Sequence, residues 1–320
     1  MSRLDVNQSV LAPAGAQASS IHALWSLMLW TAVAVFAIVL ALLIVALVRG
    51  IRNRSTDDSS LPSERSLSRA VGLAVGATVI ILIGLLTASI FTTRAVESLQ
   101  ASSAITIALT GHQWWWEIQY EDATPSRRVV TANELHIPLN RPVVFKVTSR
   151  DVIHSFWVPN LQGKRDLIPG YTTAIWLQAD RPGVFRGQCA EFCGMQHAHM
   201  ALDIVAEPDQ AFEGWLDAMR QPARDPQDPQ PRKGRDVFMQ ARCAACHTIA
   251  GTDAAGQIAP DLTHVATRST LGAGTLPNTA ENLAVWIQDP QHVKPGNQMP
   301  ANPLQADDLQ ALVAYLETLR

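Results

Sequence analysis

The chain has 320 residues, with 25 Lys and Arg against 28 Asp and Glu and a formal net charge of −3. The length gives room for two or three domains, and the near-neutral balance argues against a general nucleic-acid binder. Apolar residues make up 48% and charged residues only 17%, which excludes whole-chain disorder and is richer in apolar residues than a typical soluble protein.

The apolar excess is local. Residues 1–21 read as an N-terminal tail. His22 to Val48 and Ala70 to Thr93 then run without Asp, Glu, Lys or Arg. Each exceeds the ~20 residues a helix needs to cross a bilayer core. The pattern predicts a transmembrane helical hairpin over 22–94, with helices at about 22–48 and 70–93. Arg49, Arg52 and Arg54 follow the first run, and Arg65 and Arg69 precede the second. The positive-inside rule therefore puts loop 49–69 in the cytoplasm and both ends outside, in the periplasm if the cell is a bacterium. The first run starts late and ends in arginines, so it reads as a retained anchor and not as a cleaved signal.

Residues 95–220 read as an all-β domain. Short Val-, Ile-, Thr- and aromatic-rich segments such as 104–109, 143–148 and 172–177 alternate with turn signals at sandwich-like intervals. The triplet Trp114-Trp115-Trp116 falls in this region. On a strand Trp114 and Trp116 would share one face and Trp115 would take the other. Residues 208–220 have helical spacing, with Phe212, Trp215, Leu216 and Met219 on one side.

Two of the four cysteines lie in Cys189-Ala190-Glu191-Phe192-Cys193-Gly194-Met195-Gln196-His197-Ala198-His199-Met200. Thiols, imidazole and thioether together select copper or zinc, while a simple disulfide is the plainer alternative. His154, at an expected strand end, supplies a second imidazole. His112, His136 and His199 have no partner motif and read as structural or surface residues.

Residues 221–232 hold four prolines and read as a semi-rigid linker. Beyond it, 233–320 looks helical at both ends. Cys243-Ala244-Ala245-Cys246-His247 is C-x-x-C-H, the attachment pattern of c-type haem, with His247 as axial ligand. The sixth ligand should be Met or His. Met239 sits one turn before Cys243 and cannot reach the opposite face. Met299 fits this role better than His264 or His292, because it lies in a loop before the last helix and His/Met ligation suits an electron carrier.

These motifs carry two resemblances. Residues 233–320 resemble a class I cytochrome c. Residues 22–220 resemble subunit II of cytochrome c oxidase, whose cupredoxin domain holds the dinuclear copper site CuA. The fold class implied is a multidomain membrane protein: a two-helix transmembrane hairpin, an all-β cupredoxin sandwich (95–220) and an all-α cytochrome c domain, the caa-type arrangement. By that resemblance Cys189 and Cys193 bridge the coppers, and His154 and His197 bind one each. Met200 is a weak axial ligand and the Glu191 backbone carbonyl another. The Glu191 side chain faces magnesium or manganese at the junction with subunit I. Trp114 matches the aromatic residue through which electrons arrive. The resemblance also implies that the Pro260 carbonyl orients His247, and that Gly234, Phe238 and Tyr315 mark a helix crossing.

The same resemblance implies the partners: subunit I with its haem and CuB, subunit III, an external cytochrome c or cytochrome bc-type donor, and membrane lipid. It implies residence in a bacterial inner membrane with the soluble domains outside, and membership of a proton-translocating oxidoreductase whose dioxygen site lies in another subunit. One departure stands out: many relatives carry a glutamate where this chain has Ser68-Arg69-Ala70. The same relay in a nitric oxide reductase, and a membrane-bound copper-delivery or redox-sensing protein, are the alternatives.

Overall fold

The computed structural model describes residues 6–52, 63–97 and 105–320. Arg54 and the centre of the expected cytoplasmic loop lie outside the described residues, as do 1–5 and 98–104. The chain divides into two compact units, Ser19–Leu99 and Met1–Ala18 with Gln100–Arg320.

The first unit carries helices α1 (Ala16–Arg52) and α2 (Glu64–Glu97), with mean hydropathies of 3.1 and 2.5 over their most apolar stretches. Both outrun the expected 22–48 and 70–93. The apolar run marks the stretch suited to lipid, and flanking polar residues can continue a helix beyond it. Side chains along both helices are open, Trp30 at 68% and Leu73 at 76%. Helices this apolar on all sides require lipid or protein cover. Threonine hydroxyls within them bond back to the helix: Thr31 donates to the Leu27 carbonyl and Thr87 to Ile83, each at 2.8 Å.

The second unit begins with a β-sandwich. Its strands in chain order are β1 (Val6–Asn7), β2 (Ile105–His112), β3 (Trp115–Tyr120), β4 (Val129–Ala132), β5 (Glu134–Pro138) and β6 (Val143–Ser149). There follow β7 (His154–Trp157), β8 (Arg165–Leu167), β9 (Thr173–Leu177), β10 (Gly183–Cys189) and β11 (Ala201–Glu207). One sheet runs β4-β3-β2-β6-β9; the other runs β5-β11-β10-β7-β8, with β1 parallel to β10. Alternate residues of both sheets point inward, among them Ile107, Leu109, Trp116, Phe145, Phe156 and Leu167, all nearly inaccessible.

Two sequence expectations change here. Residues 6–18 are not a free tail: the Ala14 amide donates to the Asn160 carbonyl (2.7 Å) and Ala14 is fully buried. A two-residue strand is too short to show alternation, so the sequence carries no trace of it. Trp114 also lies in the turn between β2 and β3, so the strand alternation begins only at Trp115. Trp116 enters the core, and Trp115 stacks on His112 at 4.2 Å.

Helix α3 (Asp209–Met219) closes the sandwich with Phe212, Leu216 and Met219, while Trp215 stacks on His136 at 4.2 Å. The expected linker is shorter than 221–232, because α4 (Pro229–Gln240) starts inside it. Prolines fit the first turn of a helix, where their missing N–H would be unbonded anyway. The remaining stretch lies against the last domain. The Ala223 amide donates to Ala250 O (2.9 Å), Arg232 to Pro226 O (2.9 Å), and Arg235 pairs with Asp225.

That last domain comprises α4, the hairpin β12 (Thr270–Leu271) and β13 (Leu276–Pro277), and helices α5 (Ala280–Gln288), α6 (Pro290–Val293) and α7 (Ala306–Thr318). Helix α4 crosses α7 at Gly234, where a Cβ would stand 1.9 Å from the Ala311 oxygen. Phe238 meets Tyr315 edge-on beside this crossing, at 6.2 Å.

Candidate functional site

The loop after β10 folds back to β11, which brings Cys189, Cys193, His197 and Met200 together; β7 delivers His154 from the neighbouring strand. The two sulfurs lie 3.7 Å apart, far beyond a disulfide bond. His154 Nδ1 faces the Cys189 sulfur at 3.7 Å, and His197 Nδ1 faces the Cys193 sulfur at 3.5 Å. The Met200 sulfur is 3.9 Å from Cys193, and the Glu191 carbonyl oxygen is 3.2 Å from Cys189. All six expected donors thus converge. Each sulfur has its own imidazole, an arrangement with two ends.

The surroundings tune these groups. His154 is fully buried and its Nε2 meets the Asp151 carboxylate at 2.8 Å, which leaves Nδ1 turned to the sulfurs. Burial opposes charge on His154, but contacts with Cys189 and Asp151 outweigh it and raise its pKa. A hydrogen bond from Cys193 is the largest influence that pulls the Cys189 thiol down to about 3. The resulting thiolate pushes Cys193 up. The pair sheds one proton readily and holds the second until a cation replaces it. Lys164 Nζ lies 3.5 Å from both Asp166 and the half-exposed Glu191 carboxylate.

The other expected cluster surrounds a cavity of about 510 Å³, within the usual range for cofactor pockets. Cys243, Cys246, His247 and Met299 line it. His247 Nδ1 donates to the Pro260 carbonyl at 2.7 Å, and burial lowers the imidazole's pKa. The ring is therefore held neutral with Nε2 free to ligate. His264 Nε2 is engaged with the Met219 carbonyl at 3.1 Å.

Trp114 and Trp115 also line this cavity, from the sandwich side. Trp114 is 8% exposed, and its Nε1 donates to the Cys193 carbonyl at 2.9 Å. Gln113 Nε2 donates to the same oxygen at 2.7 Å. One indole thus touches both the sulfur cluster's backbone and the cavity wall.

A model described as "Cytochrome C oxidase subunit II, periplasmic domain" matches residues 124–207, and one described as "Cytochrome c" matches 231–320. Cytochrome c oxidase subunit 2 of Alkalihalophilus pseudofirmus is 34% identical over 98% of this chain and 91% of its own length. The chain belongs to the cytochrome c oxidase subunit 2 family. The subunit 2 of Bacillus sp. strain PS3 is 31% identical, covering 84% of this chain and 80% of that one. The crystallised periplasmic domain of subunit II from Bradyrhizobium japonicum is 32% identical, covering 38% of this chain and 96% of that one, with a TM-score of 0.35.

Membership makes this subunit 2 relative part of an oxidoreductase that includes subunit I, and its two domains imply CuA copper and haem c. The residues fit both groups. Two thiols, two imidazoles, a thioether and a carbonyl form a soft donor set suited to copper. Paired cysteines, a neutral histidine and an apolar cavity suit covalent haem. Three participants escaped sequence reading: Asp151, Gln113 and Lys294. Asp151 stands three residues before His154 and was the only one with a local signal. Lys294 Nζ donates to the carbonyls of Trp114, His199 and Gly272, a contact that only the fold creates.

Proposed function

We propose that this chain is the electron-input subunit of a haem–copper terminal oxidase. Covalent haem c would be held by Cys243, Cys246, His247 and Met299. The copper pair would be held by Cys189, Cys193, His154, His197, Met200 and the Glu191 carbonyl. When bound, the haem iron and the copper pair each take up and release one electron. The chain's residues supply the rest. Asp151 fixes the His154 tautomer, Pro260 fixes that of His247, and the indole of Trp114 fills the gap between the two sites. The observation that carries this reading is Trp114, which lines the haem-sized cavity and donates to the Cys193 carbonyl. A packed, hydrogen-bonded residue is a better coupling medium than a water-filled gap.

The external donor is a cytochrome c or cytochrome bc-type protein, and the acceptor is subunit I, which reduces dioxygen and translocates protons. Subunit III and lipid complete the assembly. The Glu191 carboxylate would exchange its Lys164 contact for magnesium or manganese at the seam with subunit I. Arg49 and Arg52 close α1, and Arg65 and Arg69 open α2. This supports a bacterial inner-membrane location with the soluble domains outside.

Trp114→Phe tests the reading. It keeps an aromatic ring and removes the Nε1 donor. Electron transfer from haem to copper should slow about tenfold, with the copper resonance and haem spectrum intact. An unchanged rate would move the route away from Trp114.

A further inference from the structure

Lys294 is 2% exposed, although lysines are almost never fully buried without a partner. Its ammonium donates to Trp114 O at 2.8 Å, His199 O at 2.7 Å and Gly272 O at 2.8 Å. An ammonium has three protons, and all three are used. A buried cation is costly unless polar groups replace its water; three converging carbonyl dipoles offset part of that cost here, while burial still lowers the amine's pKa to about 7. Arginine's planar fork suits bidentate partners and not three acceptors around one point.

The acceptors' positions give the contact its meaning. Trp114 donates its indole N–H to the Cys193 carbonyl, and His199 lies between His197 and Met200. Lys294 itself stands five residues before Met299, in the loop that presents that thioether to the cavity. One side chain therefore joins the loop of one redox site to the loop of the other.

The surrounding face has the same character. The Ala201 amide donates to Ala273 O at 3.0 Å, Gln196 Nε2 to Pro295 O at 2.9 Å, and the Ser269 amide to Glu134 at 2.8 Å. At Gly274, with φ +78°, an added Cβ would stand 2.9 Å from the Ala201 Cβ and from Arg186. The contacts are short, directional and largely to backbone. They fix one register, whereas a patch of opposite charge would allow sliding.

We propose that Lys294 is a positioning residue that locks the cytochrome domain onto the copper-binding sandwich in a single pose. The two lobes then act as one rigid body and not as a tethered pair that docks and releases. This rests on the electron-input reading. It also has a consequence for the donor: Trp114 is covered by the chain's own domain, so an external donor must address the cytochrome lobe.

The experiment uses the full-length protein in detergent, loaded with haem and copper. The chain has four lysines: Lys146, Lys164, Lys233 and Lys294. An amine-acylating reagent should modify the first three rapidly and Lys294 at least about tenfold more slowly, because its amine is sequestered. In Lys294→Met, hydrogen exchange at the Ala201 amide should accelerate about tenfold, a local loss of ~1.4 kcal/mol. Electron transfer between the sites should slow by a similar factor. The copper resonance and the haem spectrum should stay as in the parent, which separates lost positioning from lost ligation.

Rapid acylation of Lys294 in the parent would overturn the lock, and that arm does not depend on the variant folding. So would unaltered Ala201 exchange and transfer rate in Lys294→Met. Absence of the copper or haem signal from the parent would instead sink the electron-input reading, and the acylation and exchange results would still decide the lock.

Discussion

Asp203 on β11 pairs in register with Glu134 on β5 and with Arg186 on β10, and it is 4% exposed. Burial, reinforced by the charge of Glu134 and opposed by Arg186, raises its pKa to about 6. The unfolded value is about 3.9. Below pH ~4 the carboxyl is neutral in both states and ionisation costs nothing. Between about pH 4 and 6 the cost grows, and above about 6 it is present in full, roughly 3 kcal/mol. Asp203→Asn should therefore raise stability in denaturant titrations at pH 7.5 by about 1–3 kcal/mol and leave it nearly unchanged at pH 4. A gain confined to acid pH would contradict this assignment. Met299→Leu keeps the cysteine attachments but removes the thioether. Redox titration should give a lower haem potential with the covalent haem retained, and an unchanged potential would transfer the ligand role to a histidine. At this scale the side chains that converge at the sulfur cluster or line the cavity were legible, because the ligand roles proposed for them demand specific side chains at short spacings. Lys294 was not, because its acceptors are carbonyls, which every residue possesses.

Among elements, α4 and α7 meet where Gly234 removes the side chain that would otherwise collide with the Ala311 carbonyl. Backbone cannot yield as a flexible side chain can. Gly234→Ala should destabilise the cytochrome domain by about 3 kcal/mol or more, seen as a lowered melting transition with the sandwich's transition unaltered. Thr279 caps α5 by accepting from the Asn282 amide. Thr279→Ala should cost about 1 kcal/mol in the same measurement. The long apolar helices and the alternating strands were readable because each repeats its signal over many residues. Strand β1 is two residues long and β8 three, too short for any period to register. The start of α4 was hidden because the prolines that suggested a linker also suit a helix's first turn.

For the whole molecule, the sandwich and the cytochrome domain face one cavity, with Trp114 in its wall and the sulfur cluster behind that indole. The domains themselves were evident from motif and hydropathy. Their mutual register was not, because it depends on backbone groups brought together only after both domains fold. On the proposed function, this chain carries a two-copper thiolate centre and one covalent haem. Electron paramagnetic resonance with metal analysis on the oxidised full-length protein tests it most directly. Two coppers sharing one delocalised unpaired electron, together with one haem iron per chain, are the expected result. A single copper, bound zinc, or a Cys189–Cys193 disulfide would contradict it.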